Sequence, residues 1–521
     1  MSTPVSIPVS IPEHVLEQVG DLYDRGLYLQ AYARACGHAA LERWRGPAAR
    51  LLAGRLARQL GAFRLGRVLL WCAWREDRRH PEALFFMALN VLEQRGWLRA
   101  WELVSEELPI GAAPRERAEW YALRARLLAL VRDFPSAERW LDKAYSLDPD
   151  NPWLRIEHSQ VLARADRRPE ALAVVEEALT IRPWYPPAML EVAELLSESG
   201  REAEAIARLT AATAHHESGA VWVELGKLQA ELGQHAQALH SFEQAERCWP
   251  LLEAEVRQWL IAHQADQHYF LGNRAEAAKL ARKVGTPRYT AFAERLEHPE
   301  PNERRVVLPV GFVRQHHVTC APATLAALCT FWSMSADHLE VAAQICYDGT
   351  PAHSERFWAE QNGWGVREFC VDWQSARALI DAGIPFTLQT VEPTSAHLQA
   401  VIGYDACRRT LVIRDPGSRC SEEYDAETFL AHYRPFGPRG MAMVPLGRAA
   451  LLDALELPEA ELYDQLYRLQ RHLEGHDRGA AFGVYAQMAA AAPEHRLTLE
   501  ARRRLASYDE DAPTLLACTE A

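Results

Sequence analysis

Alanine returns in this chain at a fixed interval. Ala137, Ala171, Ala205 and Ala238 lie 34, 34 and 33 residues apart, and Ala144, Ala178, Ala212 and Ala245 each follow seven residues later. A seven-residue step returns to the same face of a helix after two turns, so each pair of alanines marks one helical face. Pro149, Pro183 and Pro250 come twelve residues after three of the leading alanines. A proline there ends one helix and sets the start of the next. The repeat is therefore about two helices long, with small side chains where the helices cross. One such pair cannot bury its own apolar face, so successive pairs must stack into an array. A simple helical bundle would need no fixed period.

The stretches "SESGREAEAIARL" and "AELGQHAQALHSFEQA" place a glycine five residues before the leading alanine. This pattern resembles the tetratricopeptide repeat. The same turn recurs more loosely at Gly26/Ala31, Gly61/Gly66, Gly96/Ala100 and Gly272/Ala277, which predicts about eight helix pairs. The resemblance covers roughly residues 12–295 and implies a curved solenoid whose concave face holds a protein or peptide segment. Trp153, Trp184, Tyr185 and Trp222 fall near the starts of successive units, where they line such a groove or fill the core between helices.

The formal charge of −13, from 57 basic and 70 acidic residues, leaves no broad cationic surface. That argues against nucleic acid or an anionic membrane as the main partner. The opening residues MSTPVSIPVSIPEH lack the cationic and apolar segments of a secretion signal, and no apolar run is long enough to span a bilayer. The expectation is a cytoplasmic protein. Its ten cysteines fit reduced thiols, since they show neither the density of a disulfide scaffold nor a paired metal-binding spacing. Lysine occurs only at 143, 227, 279 and 283 while arginine is abundant, a bias associated with GC-rich bacterial genomes.

At residue 297 the composition changes. "EHPEPNERRVVLPVGFV" joins two prolines and a charged cluster to a β-rich run from Val306 to Val313. A second domain begins there. In the following stretch, "RQHHVTCAPATLAALCTFW", Pro322 suits the first turn of a helix and "ATLAALCTFW" its buried side. Cys320 then sits at or just before a helix N-terminus, where unpaired N–H groups and the helix dipole favour a thiolate. Downstream, "PTSAHLQAVIGYDACRRTLVIRDPGS" reads as two strands joined by a turn from Tyr404 to Arg409. His397 begins the first strand and Asp415 ends the second, so an antiparallel hairpin brings the two together at its open end. A paired imidazole there is held in the tautomer that takes a proton from Cys320.

Gln315, Cys320 followed by Ala-Pro-Ala, "HLQAVIGYD" and "VIRDPG" occur in this order, and "DAGIPFTLQT" matches the strand that lies ahead of the histidine. Together they resemble the papain-fold peptidases that remove double-glycine leaders from bacteriocins, and more closely that family's soluble relatives, over about residues 305–447. The resemblance implies Cys320 as nucleophile, His397 as general base and acid, Asp415 as its orienter, and Gln315 with the Cys320 N–H as oxyanion donors. It calls for no cofactor and no metal. Two departures are visible. The transporter-fused branch usually has Asp-Cys-Gly where this chain has Thr319-Cys320-Ala321, and its glutamine more often stands six residues ahead of the cysteine, not five. With no membrane domain present, double-glycine specificity does not carry over. Cys329, Cys346, Cys370, Cys407 and Cys420, and the neighbouring His316 and His317, have no such context.

From Leu446 onward helical periodicity returns, and Ala481 stands twelve residues before Pro493, as Ala171 does before Pro183. The expected organisation is a flexible start (1–11), tetratricopeptide-like repeats (12–296), a linker (297–306), an α+β papain-like domain (307–447) and C-terminal helices with one more repeat-like pair (448–521). The expected function is a cysteine peptidase whose helical array grips a protein substrate or regulator. Two other readings use the same residues: an inactive peptide-binding scaffold, and an acyl or peptidyl transferase in which an amine replaces water.

Overall fold

The computed structural model describes residues 9–109, 111–298, 303–392 and 394–520. The chain divides into two compact units, Met1–Glu297 and His298–Ala521. It is mostly helical, with a repeat array first and a sheet-containing domain second. Among the described residues no helix is long and apolar enough to cross a membrane. Of the expected flexible start, residues 1–8 lie outside the described residues. The rest of it, β1 (Val9–Ser10), pairs in parallel with β2 (Trp44–Arg45).

The first unit stacks eight antiparallel helix pairs, from Glu13–Asp24 with Tyr28–Cys36 to Ala254–Phe270 with Arg274–Val284, and closes with the helix Pro287–Glu297. All eight alanines of the two series are fully buried, where their lack of bulk lets the helices approach. The turn inside each pair needs one left-handed residue. Gly26, Gly61, Gly200, Gly233 and Gly272 supply it with φ between 71° and 87°. Arg132 and Asp166 occupy the same place at φ 62° and 63°, against a preference of roughly 1 kcal/mol.

The array curls until its early turns meet its later ones. Glu217 stands where the other three repeats carry proline, twelve residues after Ala205. Its carboxylate accepts from the N–H groups of Leu29 and Gln30 at 2.7 and 3.2 Å, and its own N–H donates to the Gly26 carbonyl at 2.8 Å. Those amides belong to the first turn of Tyr28–Cys36, so the cap of this helix comes from 188 residues away. Glu253 does the same for the next pair by accepting from Arg64 N–H, while the Leu251 and Glu253 amides donate to the Leu60 and Gly61 carbonyls at 3.1 and 3.3 Å. Trp249 packs so tightly on Gly61 that a β-carbon there would lie 3.1 Å from the Trp249 Cβ.

The curled array borders an open cleft of about 970 Å³. Trp153, Trp184 and Tyr185 line it with Tyr23, Phe86 and Arg55, whose guanidinium lies 4.6 Å above the Tyr23 ring. Trp222 instead packs with Phe242 in the interhelical core. Replacing Glu217 and Glu253 together by alanine is expected to remove about 1 kcal/mol per cap. Urea unfolding should show the loss, and small-angle scattering should show a larger radius of gyration as the turn opens.

The second unit is built on a seven-stranded sheet. Its strands are β3 (Arg305–Val307), β4 (Trp364–Cys370), β5 (Phe386–Glu392), β6 (Ser395–Asp405), β7 (Thr410–Arg414), β8 (Glu422–Asp425) and β9 (Arg439–Pro445). The order is β4-β9-β5-β6-β7-β8 with β3 added to β6, and every pairing is antiparallel. The helix Cys320–Phe331 covers one face, where Leu325 and Leu328 pack with Ala400, Ile402, Met441 and Met443. The helix Trp373–Asp381 covers the other through Ala376, Leu379 and Ile380 against Phe386, Val401 and Val444. This alternation along β6 and β9 fixes the register, because a slip of one residue would exchange the two apolar sets and set each against the wrong helix.

Two helix pairs, not one, follow the sheet: Ala460–Glu474 with Arg478–Ala491, and Arg496–Tyr508 with Ala512–Glu520. His476, at φ 58°, makes the left-handed turn five residues ahead of Ala481. These helices are part of the sheet domain's own fold. Asp464 accepts from Arg356 at 2.7 Å and from Arg367 at 2.6 Å, and the Tyr467 hydroxyl donates to Glu360 at 2.7 Å. Beneath that layer Arg439 joins Glu355 and Glu368 at 2.7 and 2.6 Å, all three buried.

Candidate active site

Cys320 is the first residue of its helix, so its thiol sits beside first-turn amides that have no acceptor within the helix. The helix is pinned there from both sides. One turn on, the buried Thr324 hydroxyl donates to the Leu398 carbonyl of β6 at 3.0 Å. Two residues before the thiol, Val318 takes φ 54°, a left-handed conformation that a β-branched residue adopts only when its surroundings impose it. Its carbonyl accepts from the Cys346 thiol at 3.3 Å. These contacts fix where the thiol lies against β6.

β6 and β7 form the expected hairpin, with the turn over residues 406–409. His397 lies two residues inside β6, and Asp415 directly follows β7. His397 Nε2 and Asp415 Oδ2 are 3.0 Å apart. The carboxylate's other oxygen, Oδ1, accepts from the Gly417 N–H at 2.6 Å, which holds the turn closed. With Nε2 occupied by Asp415, Nδ1 is left for the hydrogen bond between His397 and the Cys320 side chain. His397 thus lies between Asp415 and the Cys320 side chain, with a hydrogen bond to each.

Gln315 sits on the same turn. Its N–H donates to the Pro416 carbonyl at 2.9 Å, and a β-carbon on Gly417 would lie 3.7 Å from its Nε2 and 3.0 Å from Asp415 Oδ1. Its Oε1 is buried with no hydrogen-bond partner among the described residues. His316, by contrast, engages Thr319 through its N–H and stacks edge-on with His338 at 5.0 Å, outside the Cys320–His397–Asp415 line.

The electrostatics favour an ion pair. Burial works against charge on Cys320, but the hydrogen bonds from His397 and from the Leu398 backbone outweigh it and pull the thiol below its usual value of 9. Burial also opposes charge on His397, and there the Asp415 and Cys320 hydrogen bonds prevail and raise the imidazole to about 10. Asp415 is held below the usual carboxylate range, since the bond to His397 overcomes its desolvation. Nothing comparable happens at Cys329, which burial alone pushes up to about 12, or at Cys370, which burial also raises. Cys320 carries a free thiol, and among the described residues no cluster of histidine, cysteine and carboxylate groups fits a metal. An activated thiol beside an imidazolium can attack a carbonyl carbon and return a proton to the leaving group.

Thr324, Val318 and the Leu398 backbone escape a reading of the sequence, because their contributions lie in main-chain geometry. The Val-Thr pair ahead of the cysteine gives no hint of a left-handed residue.

Residues 307–441 match the Peptidase_C39 like family, and residues 162–222 match a tetratricopeptide repeat. No curated protein matches the chain. Among solved structures, the peptidase domain of Streptococcus ComA, described as a bi-functional ABC transporter involved in quorum sensing, is similar over 26% of this chain and 98% of its own, at 20% identity and a TM-score of 0.23. PilW, described as a type IV pilus biogenesis factor, is similar over 43% of this chain and 95% of its own, at 18% identity and a TM-score of 0.31. A tetratricopeptide repeat protein from Parabacteroides merdae is similar over 48% and 98%, at 18% identity and a TM-score of 0.31.

Proposed function

We propose that this chain, which carries tetratricopeptide repeats and a Peptidase_C39-like domain, is a cytoplasmic cysteine peptidase that cleaves a polypeptide gripped by its repeats. The observation that carries the reading is the line from Asp415 through His397 to the thiol at a helix N-terminus. Cys320 Sγ attacks the scissile carbonyl carbon, and the carbonyl oxygen takes up the electron pair as an oxyanion. The Cys320 N–H and the Gln315 side-chain amide donate to that oxyanion. The imidazolium of His397 gives its proton to the departing amine as the C–N bond breaks, leaving a thioester on Cys320. Water then loses a proton to His397 and attacks the thioester, which frees the acid and the thiol. Asp415 keeps the imidazole oriented and stabilises its charge in both halves.

Comparison of new protein N-termini in cells carrying the wild type and Cys320→Ala tests the reading. N-termini that disappear with the thiol identify the substrate, and identical sets in the two strains would refute peptidase activity.

The ion pair also has a pH signature. Alkylation of Cys320 by iodoacetamide is expected to rise with pH through an inflection below 9, the ordinary thiol value, and to outpace the other nine cysteines near neutrality. The raised His397 contributes stability that is complete below its unfolded value near 6.5 and fades as pH climbs through about 10. The depressed thiol contributes stability that is complete above 9 and fades as pH falls through its lowered value. The pair therefore holds between the lowered value of the thiol and about 10. His397→Ala is expected to move the inflection upward, as mass spectrometry of adducts at short times can read.

A further inference from the structure

Three side chains converge on Gly417. A β-carbon on that residue would lie 3.0 Å from Asp415 Oδ1, 3.7 Å from Gln315 Nε2 and 3.9 Å from Arg314 Nη1, so a side chain there would crowd the carboxylate. In the proposed reaction Asp415 orients the imidazole and Gln315 faces the oxyanion. Arg314 does neither, yet it meets both at one point.

Its contacts tie two pieces of chain together. Arg314 donates from Nη1 to the Gly417 carbonyl, and the N–H of Gln315 donates to the Pro416 carbonyl at 2.9 Å. Within the turn itself, the Gly417 N–H donates to Asp415 Oδ1 at 2.6 Å and the Ser418 N–H to the Asp415 carbonyl at 3.3 Å. The segment that leads to the thiol is therefore laced to the turn that follows β7, with the oxyanion donor on one side of the lacing and the acid on the other.

The Gln315 amide depends on this support. Its Oε1 is buried with no hydrogen-bond partner among the described residues, so that oxygen does not orient it. Beyond it the chain closes on itself: the His316 N–H donates to the Thr319 hydroxyl at 2.9 Å, and the Thr319 N–H to the His316 carbonyl at 3.3 Å. Such a turn moves as one piece, and the bonds from Arg314 and Gln315 set its place against Asp415. The bond from Arg314 is the charge-assisted one of the two, and so the stronger. It also brings a positive charge to the turn that carries Asp415, which favours the carboxylate.

We propose that Arg314 is a positioning residue, whose guanidinium on the Gly417 carbonyl holds the Gln315 amide and the Asp415 carboxylate in one frame about the thiol. The inference rests on the reading of Cys320 as nucleophile and Gln315 as oxyanion donor.

Two reagents test it on the full chain without knowledge of the substrate. With iodoacetamide, Sγ bonds a saturated carbon and iodide leaves, so no oxyanion develops. With 4-nitrophenyl acetate, Sγ bonds the carbonyl carbon and the π pair moves to oxygen. Return of that pair expels 4-nitrophenolate and leaves an acetyl thioester. The ratio of acylation to alkylation at Cys320 thus reports the oxyanion donors, and the pH inflection of alkylation reports the Asp415 side.

Arg314→Met is expected to lower the ratio about tenfold and to move the inflection upward. Arg314→Lys, which keeps the charge but not the planar fork, should lower the ratio about threefold, and it serves alone if circular dichroism shows that Arg314→Met does not fold. In a Gln315→Ala background Arg314→Met should lower the ratio no further, because the amide it positions is gone. An unchanged ratio in a folded Arg314 variant, or a full additional loss in the Gln315→Ala background, would overturn the role of Arg314 alone. Failure of the underlying reading looks different and would take the proposal with it: iodoacetamide would label wild-type Cys320 no faster than Cys346, or Gln315→Ala by itself would leave the ratio unchanged.

Discussion

Cys320→Ala is expected to lower turnover of the substrate by about four orders of magnitude or more with the fold intact, because no other group on the line can form the acyl-enzyme. His397→Ala should approach the same loss, since nucleophile and base act as one unit and their effects are far from additive. Asp415→Asn should cost less: the amide oxygen still accepts from His397 Nε2 at a separation now 3.0 Å, and the lost charge mainly weakens the imidazolium. The measurement is kcat for cleavage of the polypeptide identified from the N-terminal comparison. Near-wild-type turnover in Cys320→Ala would remove the acyl-enzyme route, and near-wild-type turnover in His397→Ala would remove that residue from the mechanism.

Arg439→Leu is expected to cost about 3–5 kcal/mol of stability, read from the urea midpoint of the sheet domain. The guanidinium is 6% exposed and sits between Glu355 and Glu368, with side chains 1% and 6% exposed. Removing it strands Glu355, whereas Glu368 keeps its pairing with Arg356 at 3.1 Å. Burial already holds Glu355 up at about 7 despite the arginine, which shows how little solvent reaches it. Adding Glu355→Leu to Arg439→Leu should return part of the loss, since an apolar replacement of both partners avoids the buried charge. A double variant no more stable than the single one would mean that Glu355 is not the stranded group.

Much of this was legible residue by residue. The two alanine series announced stacked helix pairs because only a small side chain fits where the helices cross, and all eight are buried. The hairpin that joins His397 to Asp415 was readable from alternation, a short turn and the Pro-Gly stop, since strand register follows from local pattern. The number of C-terminal pairs was not. Arg496–Tyr508 and Ala512–Glu520 lack the glycine turn and repeat Ala481's spacing with nothing, so the second pair left no periodic trace.

Glu217 shows where local pattern runs out. In the sequence it is one more acid in a chain with 70 of them, standing where a proline belongs. Only when the array has curled does its carboxylate meet the bare amides of a helix 188 residues earlier. The sequence by itself determined the elements and the chemical groups, because helix faces, strand alternation and turn residues are set by interactions between near neighbours. Tertiary structure alone decided the closure of the array and the strain at Val318, because each depends on contacts between residues whose separation along the chain carries no signal.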